Sequence, residues 1–147
     1  MKNFKDAVEK LTNAKHVLIC GKDSSGKTHI LKELVSELSM EYSILVLSNH
    51  KEIKMAALRP HMVDSLYKPK DYTNVELSYL ETDADYIFID EHCTNMEEIM
   101  KNIDKKLVFV KTVQGEKLTD YLDKFDVIIE TTKNEDGMPI ISSVLTK

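Results

Sequence analysis

Nowhere in these 147 residues do eighteen apolar side chains run together, so no segment has the length to cross a bilayer as a helix. Met1 to Asp6 leads into no apolar core of signal-peptide length, and the expected location is the cytoplasm. Cysteine is scarce: two in a chain this long make no disulfide framework, and both are expected to be reduced. Cys20 ends an apolar run as a small buried thiol, and Cys93 beside His92 lacks the further ligands a zinc site needs. His16, His29, His50 and His61 are scattered with no ligand spacing. Positive charge is short as well. Lysine and arginine number 20 against 25 aspartates and glutamates, leaving −5, and neutralising a nucleic-acid backbone calls for a net basic face, so no dedicated nucleic-acid surface is expected. Lysines such as Lys68 and Lys70 read as solvated surface. Arginine occurs once, at Arg59. Repeats, low-complexity tracts and linkers are missing, and the expectation is one domain over residues 1–147 with a single sizeable core.

What is present is an eight-residue stretch, Gly21-Lys22-Asp23-Ser24-Ser25-Gly26-Lys27-Thr28, directly after the apolar run His16 to Cys20. It matches GxxxxGK[ST] at every fixed position and reads as a phosphate-binding P-loop. A polyphosphate is held best by a ring of inward-facing backbone N–H groups, and Gly21 and Gly26 permit the tight wrap that aims them. Lys27 is expected to reach the β- and γ-phosphates, and Thr28 to place its hydroxyl on Mg²⁺. The helix opening near Gly26 adds its positive end. That helix is predicted from Ile30, Leu31, Leu34, Val35 and Leu38, which share one face.

Along the rest of the chain, Phe4, Ala7, Val8 and Leu11 predict an amphipathic helix that lids one edge of a sheet. Ile44 to Leu47 reads as a strand buried on both faces. From Ser48 to Lys70 the pattern is weaker: a short helix over Lys51 to Leu58 ended by Pro60, and a loop at Pro69. Two capping boxes, Thr73 to Glu76 and Thr94 to Glu97, each predict a helix start, the second helix turning Met96, Ile99, Met100 and Ile103 inward. Tyr86 to Asp90, Leu107 to Val110 and Val127 to Ile129 are predicted strands, with a helix through Leu118, Tyr121 and Leu122. Asn134 to Gly137 is a turn that makes the last two strands a hairpin. The alternation implies an α/β fold: three α/β/α layers around a mainly parallel sheet, with a C-terminal edge hairpin.

A P-loop needs a partner for its metal and its attacking water. Asp85 to Glu91 resembles a Walker B strand, an apolar run that delivers Asp90 and Glu91 to the carboxyl end of a buried strand. Asp90 is expected to hold Mg²⁺ and Glu91 to orient or activate water, which favours hydrolysis over kinase-type transfer.

With these pieces in order, the chain resembles the RecA-like motor domain of the type II and type IV secretion ATPases in shortened form. Phe4 to Thr28 resembles their helix, strand and P-loop, Asp85 to Glu91 their Walker B strand, and Phe125 to Ile129 with Asp136-Gly137 their closing hairpin. Their substrate-engaging N-terminal domain lies outside the resemblance. The likeness implies a RecA-like sheet and Glu91 as catalytic base. It departs at Asp90, where the family usually has Gly, and at Thr112-Val113-Gln114, where the family has Thr-Ile-His. Gln114 is a candidate γ-phosphate sensor or an idle loop amide. The family acts as rings in which a neighbour's guanidinium reaches the γ-phosphate, which makes Arg59 a candidate finger in a homo-oligomer, or else a surface cation paired with a carboxylate. The resulting expectation is Mg-dependent ATP binding and hydrolysis, possible as an oligomeric motor or assembly ATPase with a protein partner. A nucleotide-binding interaction module with negligible hydrolysis is the alternative. A small-molecule kinase ranks third, because such lids carry several arginines. No NKxD-type guanine-reading order occurs at Thr132 to Asp136, so ATP is the default nucleotide.

Overall fold

The computed structural model describes residues 2–22, 24–38, 40–48, 62–66, 80, 83–89, 95–113 and 117–147. In chain order the elements are α1 (Lys2–Thr12), β1 (His16–Gly21), α2 (Lys27–Leu38), β2 (Ile44–Ser48), β3 (Met62–Leu66), β4 (Tyr86–Ile89), α3 (Met96–Asn102), β5 (Lys106–Thr112), a 3-10 helix (Leu118–Asp123), β6 (Val127–Lys133) and β7 (Pro139–Thr146). The described strands form one sheet in the order β3-β2-β4-β5-β1-β6-β7. Every neighbouring pair is parallel except β6 with β7.

The near-continuous apolar runs of β1, β4 and β5 are what a parallel strand needs when both faces are covered. Because side chains alternate along a strand, Val17 and Ile19 pack with Ala7 and Leu11 of α1 and with Ile30, Leu31, Leu34, Val35 and Leu38 of α2. Leu18 and Cys20 enter the opposite core with Phe109, Phe125 and Ile99 of α3. Two cores on one sheet are the three-layer architecture expected from the sequence, and each fully buried Leu or Ile contributes about 1.5–3 kcal/mol. α1 lies over β6 and the edge strand β7, where Asn3 Nδ2 donates to the Ile141 carbonyl at 2.9 Å. The edge-lidding helix is thus where it was expected.

Strand starts are pinned by two aspartates. Asp126 Oδ2 accepts the backbone N–H groups of Lys15 and His16, each at 3.2 Å, tying the start of β1 to that of β6. Asp85 Oδ2 accepts the Ser43 N–H at 3.0 Å while the Asp85 N–H donates to the Ser43 carbonyl at 2.9 Å, doing the same for β2 and β4. The hairpin closes as the turn signal predicts. Asn134 Oδ1 accepts from the N–H groups of Asp136 and Met138, and Gly137 takes φ +77° with open space around its α-carbon.

Three expectations change. The N-cap position falls on Asn95, without a side-chain cap bond, rather than on Thr94, which lies outside the described residues, and the Glu97 carboxylate accepts from Lys124. The predicted helix through Leu118, Tyr121 and Leu122 is a six-residue 3-10 helix, too short and too tightly wound to hold an α-helical register. β3 was not foreseen, because Met62–Leu66 has neither clean alternation nor a continuous apolar run. The expected helix over 51–58, the loop at Pro69 and the first capping box lie outside the described residues.

Candidate functional site: a glycine-tight loop at the carboxyl edge

β1 sits between β5 and β6 and delivers the loop of residues 21–28 to the carboxyl edge of the parallel strands. Both loop glycines are required by their surroundings. A Cβ on Gly21 would stand 2.4 Å from Ser25 Oγ and 2.6 Å from Thr131 Oγ1, and one on Gly26, whose φ is +90°, would stand 2.4 Å from Pro139 Cβ. Ser24 also takes the left-handed conformation, φ 61°, which costs an L-residue about 1–2 kcal/mol. The Ser25 N–H closes the turn on the Lys22 carbonyl at 3.1 Å, and the Ile30 N–H makes the first helical bond, to Gly26, at 3.0 Å. The described residues of the loop, 21–22 and 24–28, therefore turn tightly into α2.

Lys27, in the first turn of α2, is 4% exposed, and its Nζ donates across the loop to the Lys22 carbonyl at 2.8 Å. Lysine is almost never buried this far unless paired. Among the described residues, however, it has no carboxylate within ion-pair distance. Among the described residues the buried ammonium is answered by one neutral carbonyl, at the amino end of a twelve-residue helix, where the helix dipole favours negative charge. Thr28 follows in the same turn, half-buried.

The loop is also held from behind, by residues the motif does not include. Thr131 is buried on β6, and its hydroxyl lies 2.8 Å from Ser25 Oγ and 3.2 Å from the Cys20 carbonyl. A carbonyl only accepts, so the relay runs from Ser25 to Thr131 to Cys20. Pro139, first residue of β7, fills the space beside Gly26. The end of β5 joins in through the Val113 N–H, which donates to the Gly21 carbonyl at 2.8 Å. Thr131 and Pro139 escaped sequence reasoning; the only signal was a polar run, Glu130-Thr131-Thr132, ending an apolar strand.

The remaining predicted site residues are distributed otherwise. Lys22 is exposed and contributes its carbonyl. Asp23, Arg59, Asp90, Glu91 and Gln114 lie outside the described residues. β4 ends at Ile89, level with Phe109 of β5 and Leu18 of β1, so β5 separates the strand leading to Asp90 from the strand leading to the loop.

Fold and loop together define an architecture: the α/β/α fold of P-loop NTPases, with a mainly parallel, RecA-like sheet. Residues 1–63 match the family model described as novel STAND NTPase 3. In structure the whole chain is similar to the VirB11 ATPase of the Brucella suis type IV secretion system, solved with sulphate, at a TM-score of 0.75 and 14% identity, covering 99% of this chain and 52% of that one. It is also similar to the flagellar accessory protein FlaH of Methanocaldococcus jannaschii, at a TM-score of 0.57 and 14% identity, covering 95% of this chain and 80% of that one. The chain spans about half the length of the VirB11 ATPase. No curated protein sequence matches it. At 14% identity these structural likenesses show the fold, the α/β RecA-like sheet that the sequence implied. No helix among the described residues is long and apolar enough to cross a membrane.

Proposed function

We propose that the chain, as one P-loop NTPase domain over residues 1–147, binds Mg-ATP and hydrolyses it in the cytoplasm. The observation that carries this reading is the buried Lys27 ammonium bonded to the Lys22 carbonyl inside a loop whose two glycines admit no side chain. The residues fit a triphosphate: backbone N–H groups of the loop cradle it, and Lys27 offsets charge on its β- and γ-oxygens. Thr28 and Asp90 are the residues that would hold magnesium, which supplies further charge neutralisation when bound. Glu91 orients the attacking water and accepts its proton, and Gln114 positions the terminal phosphate. Arg59 acts across an interface between copies of the chain, as the resemblance to ring-forming motors suggests, and an assembly partner completes the picture. Proposing Arg59 as a finger implies low turnover in a lone monomer, since such a residue is worth about 10³–10⁵ in rate.

Calorimetric titration and phosphate release decide the matter. Lys27→Ala should lose Mg-ATP binding about 100-fold or more, the worth of roughly 3 kcal/mol of charge-assisted bonding. Glu91→Gln should bind ATP and not release phosphate, and Asp90→Asn should bind with weakened magnesium dependence. Lys27→Ala binding like the parent would sink the reading. Binding without phosphate release at any protein concentration would make the chain a nucleotide-dependent interaction module instead.

A further inference from the structure

Beside the P-loop a cleft of about 360 Å³ opens between the loop and the terminal hairpin. The loop contributes Gly21, Lys22 and Ser25 to its lining and the hairpin Glu130, Thr131 and Ser142, with apolar surface from Val113 and Leu118. Its size falls at the lower end of the range of small-molecule sites, about 300–1,000 Å³. The cleft is continuous with the loop, so a molecule whose phosphates sit in the loop extends into it.

Glu130 decides which part of that molecule the cleft receives. It pairs with Cys20 across the β1–β6 ladder, one residue before the loop begins, at a shift in the β6–β7 register. A carboxylate there repels phosphate, which points to an uncharged part of the ligand. It also only accepts hydrogen bonds, so that part must bring donors. The carboxylate is held in place: the hydroxyls of Ser142 and Ser143 both donate to Oε1, at 3.2 and 3.0 Å. Oε2 takes no hydrogen bond among the described residues. The wall itself is rigid, because the neighbouring Thr131 is locked to Ser25 and Cys20. In a nucleotide, the neutral group nearest the phosphates that carries two adjacent donors is the ribose.

We infer that this cleft is the ribose site of the nucleotide, with Glu130 accepting hydrogen bonds from the 2′- and 3′-hydroxyls and the hairpin β6–β7 forming its wall. This rests on the reading that the loop of residues 21–28 holds phosphates. Binding of Mg-ATP, of Mg-2′,3′-dideoxy-ATP and of inorganic tripolyphosphate to the full chain is measured by calorimetry, for the parent and for Glu130→Ala and Glu130→Gln. In the parent, ATP should bind about tenfold tighter than the dideoxy nucleotide, as a hydrogen bond to a charged acceptor provides. In Glu130→Ala that ratio should fall close to one, with tripolyphosphate affinity not reduced. Glu130→Gln keeps an acceptor for both serines, which guards the fold, and should lower the ratio several-fold. Equal binding of ATP and the dideoxy nucleotide by the parent, or an unchanged ratio in both variants, overturns the ribose site and leaves the phosphate reading standing. Failure of the parent to bind either tripolyphosphate or ATP overturns the phosphate reading and this inference with it.

Discussion

At the amino edge of the sheet the cavity is the larger one, about 660 Å³, bordered by Thr12, Lys15, Asp85, Asp104 and Lys106, whereas the cleft beside the loop at the carboxyl edge measures about 360 Å³. Size points to the wrong end of the molecule. The amino edge is an open groove in which Lys15 pairs with Asp104 at 2.8 Å, and Lys106 Nζ donates to the Thr12 carbonyl at 2.7 Å and lies 5.2 Å from the centre of the Tyr86 ring. Asp85 and Asp126 are likewise committed to backbone N–H groups. At the carboxyl edge a lysine, Lys27, and a hydroxyl pair, Ser25 and Thr131, are buried, the hydroxyls stand against Gly21, and Lys27 has no carboxylate partner among the described residues. A polar group whose partners are already in place holds the fold together. One that is buried and only partly answered is available for a ligand.

The comparison breaks most easily at its two lysines. Lys27→Ala is expected to lose about 100-fold or more in Mg-ATP affinity, as above, and to keep its unfolding midpoint close to that of the parent, while Lys106→Met should leave affinity untouched and lower stability by about 1 kcal/mol through the lost Thr12 bond. A reversal of these results in paired calorimetry and urea unfolding would move the site to the amino edge.

Thr131→Val comes next in size. It keeps the shape and removes the hydroxyl that accepts from Ser25, and an unpaired buried hydroxyl costs about 1–3 kcal/mol. Urea unfolding should register that loss, and tripolyphosphate should bind several-fold more weakly, with Thr131→Ser restoring most of both. If Val and Ser behave alike, the relay does not position the loop.

A smaller effect is expected at His16, whose Nε2 is buried without a hydrogen-bond partner. Burial, with Lys15 adding to it, holds its pKa below 6.5 against the opposing pull of Asp126. Its folded pKa lies below the unfolded one, so the neutral ring stabilises the fold fully above about pH 6.5, and this contribution is lost as pH falls through the lowered folded value. His16→Leu should flatten the fall in urea midpoint between pH 7.5 and pH 5.5; an unchanged slope would assign that fall to other groups. The smallest effect is expected at the exposed Glu97–Lys124 pair. Lys124 draws the Glu97 pKa down, yet Glu97→Gln should leave the urea midpoint within error in 0.15 M salt, because solvent and ions screen it.

Much of the fold was readable because its signals are local. The buried strands β1, β2, β4, β5 and β6 show apolar runs, α2 shows its five inward residues, and the hairpin shows Asn134 and Gly137. Where a signal depends on competition, it is less readable: Glu97, predicted to turn back on the helix start, accepts from Lys124, 27 residues away, a partner that no local pattern announces. β3 escaped because an edge strand needs no continuous apolar run. At the site, the positions of the two loop glycines and of the helix that follows were legible, whereas Thr131, Pro139 and Glu130 were not, since no spacing links them to residues more than a hundred positions earlier.

The sequence by itself determined that a loop would wrap at residues 21–28, with a strand before it and an amphipathic helix after it. Glycine torsions and side-chain periodicity act within a few residues, so nothing distant is needed to read them. Only the tertiary structure decided that β5 stands between β1 and β4, that β6 and β7 come to lie behind the loop, and that Thr131 and Pro139 occupy the spaces Gly21 and Gly26 leave. Those contacts follow from the order of strands in the sheet, which is set by how two cores pack at once and is written in no single stretch of the chain.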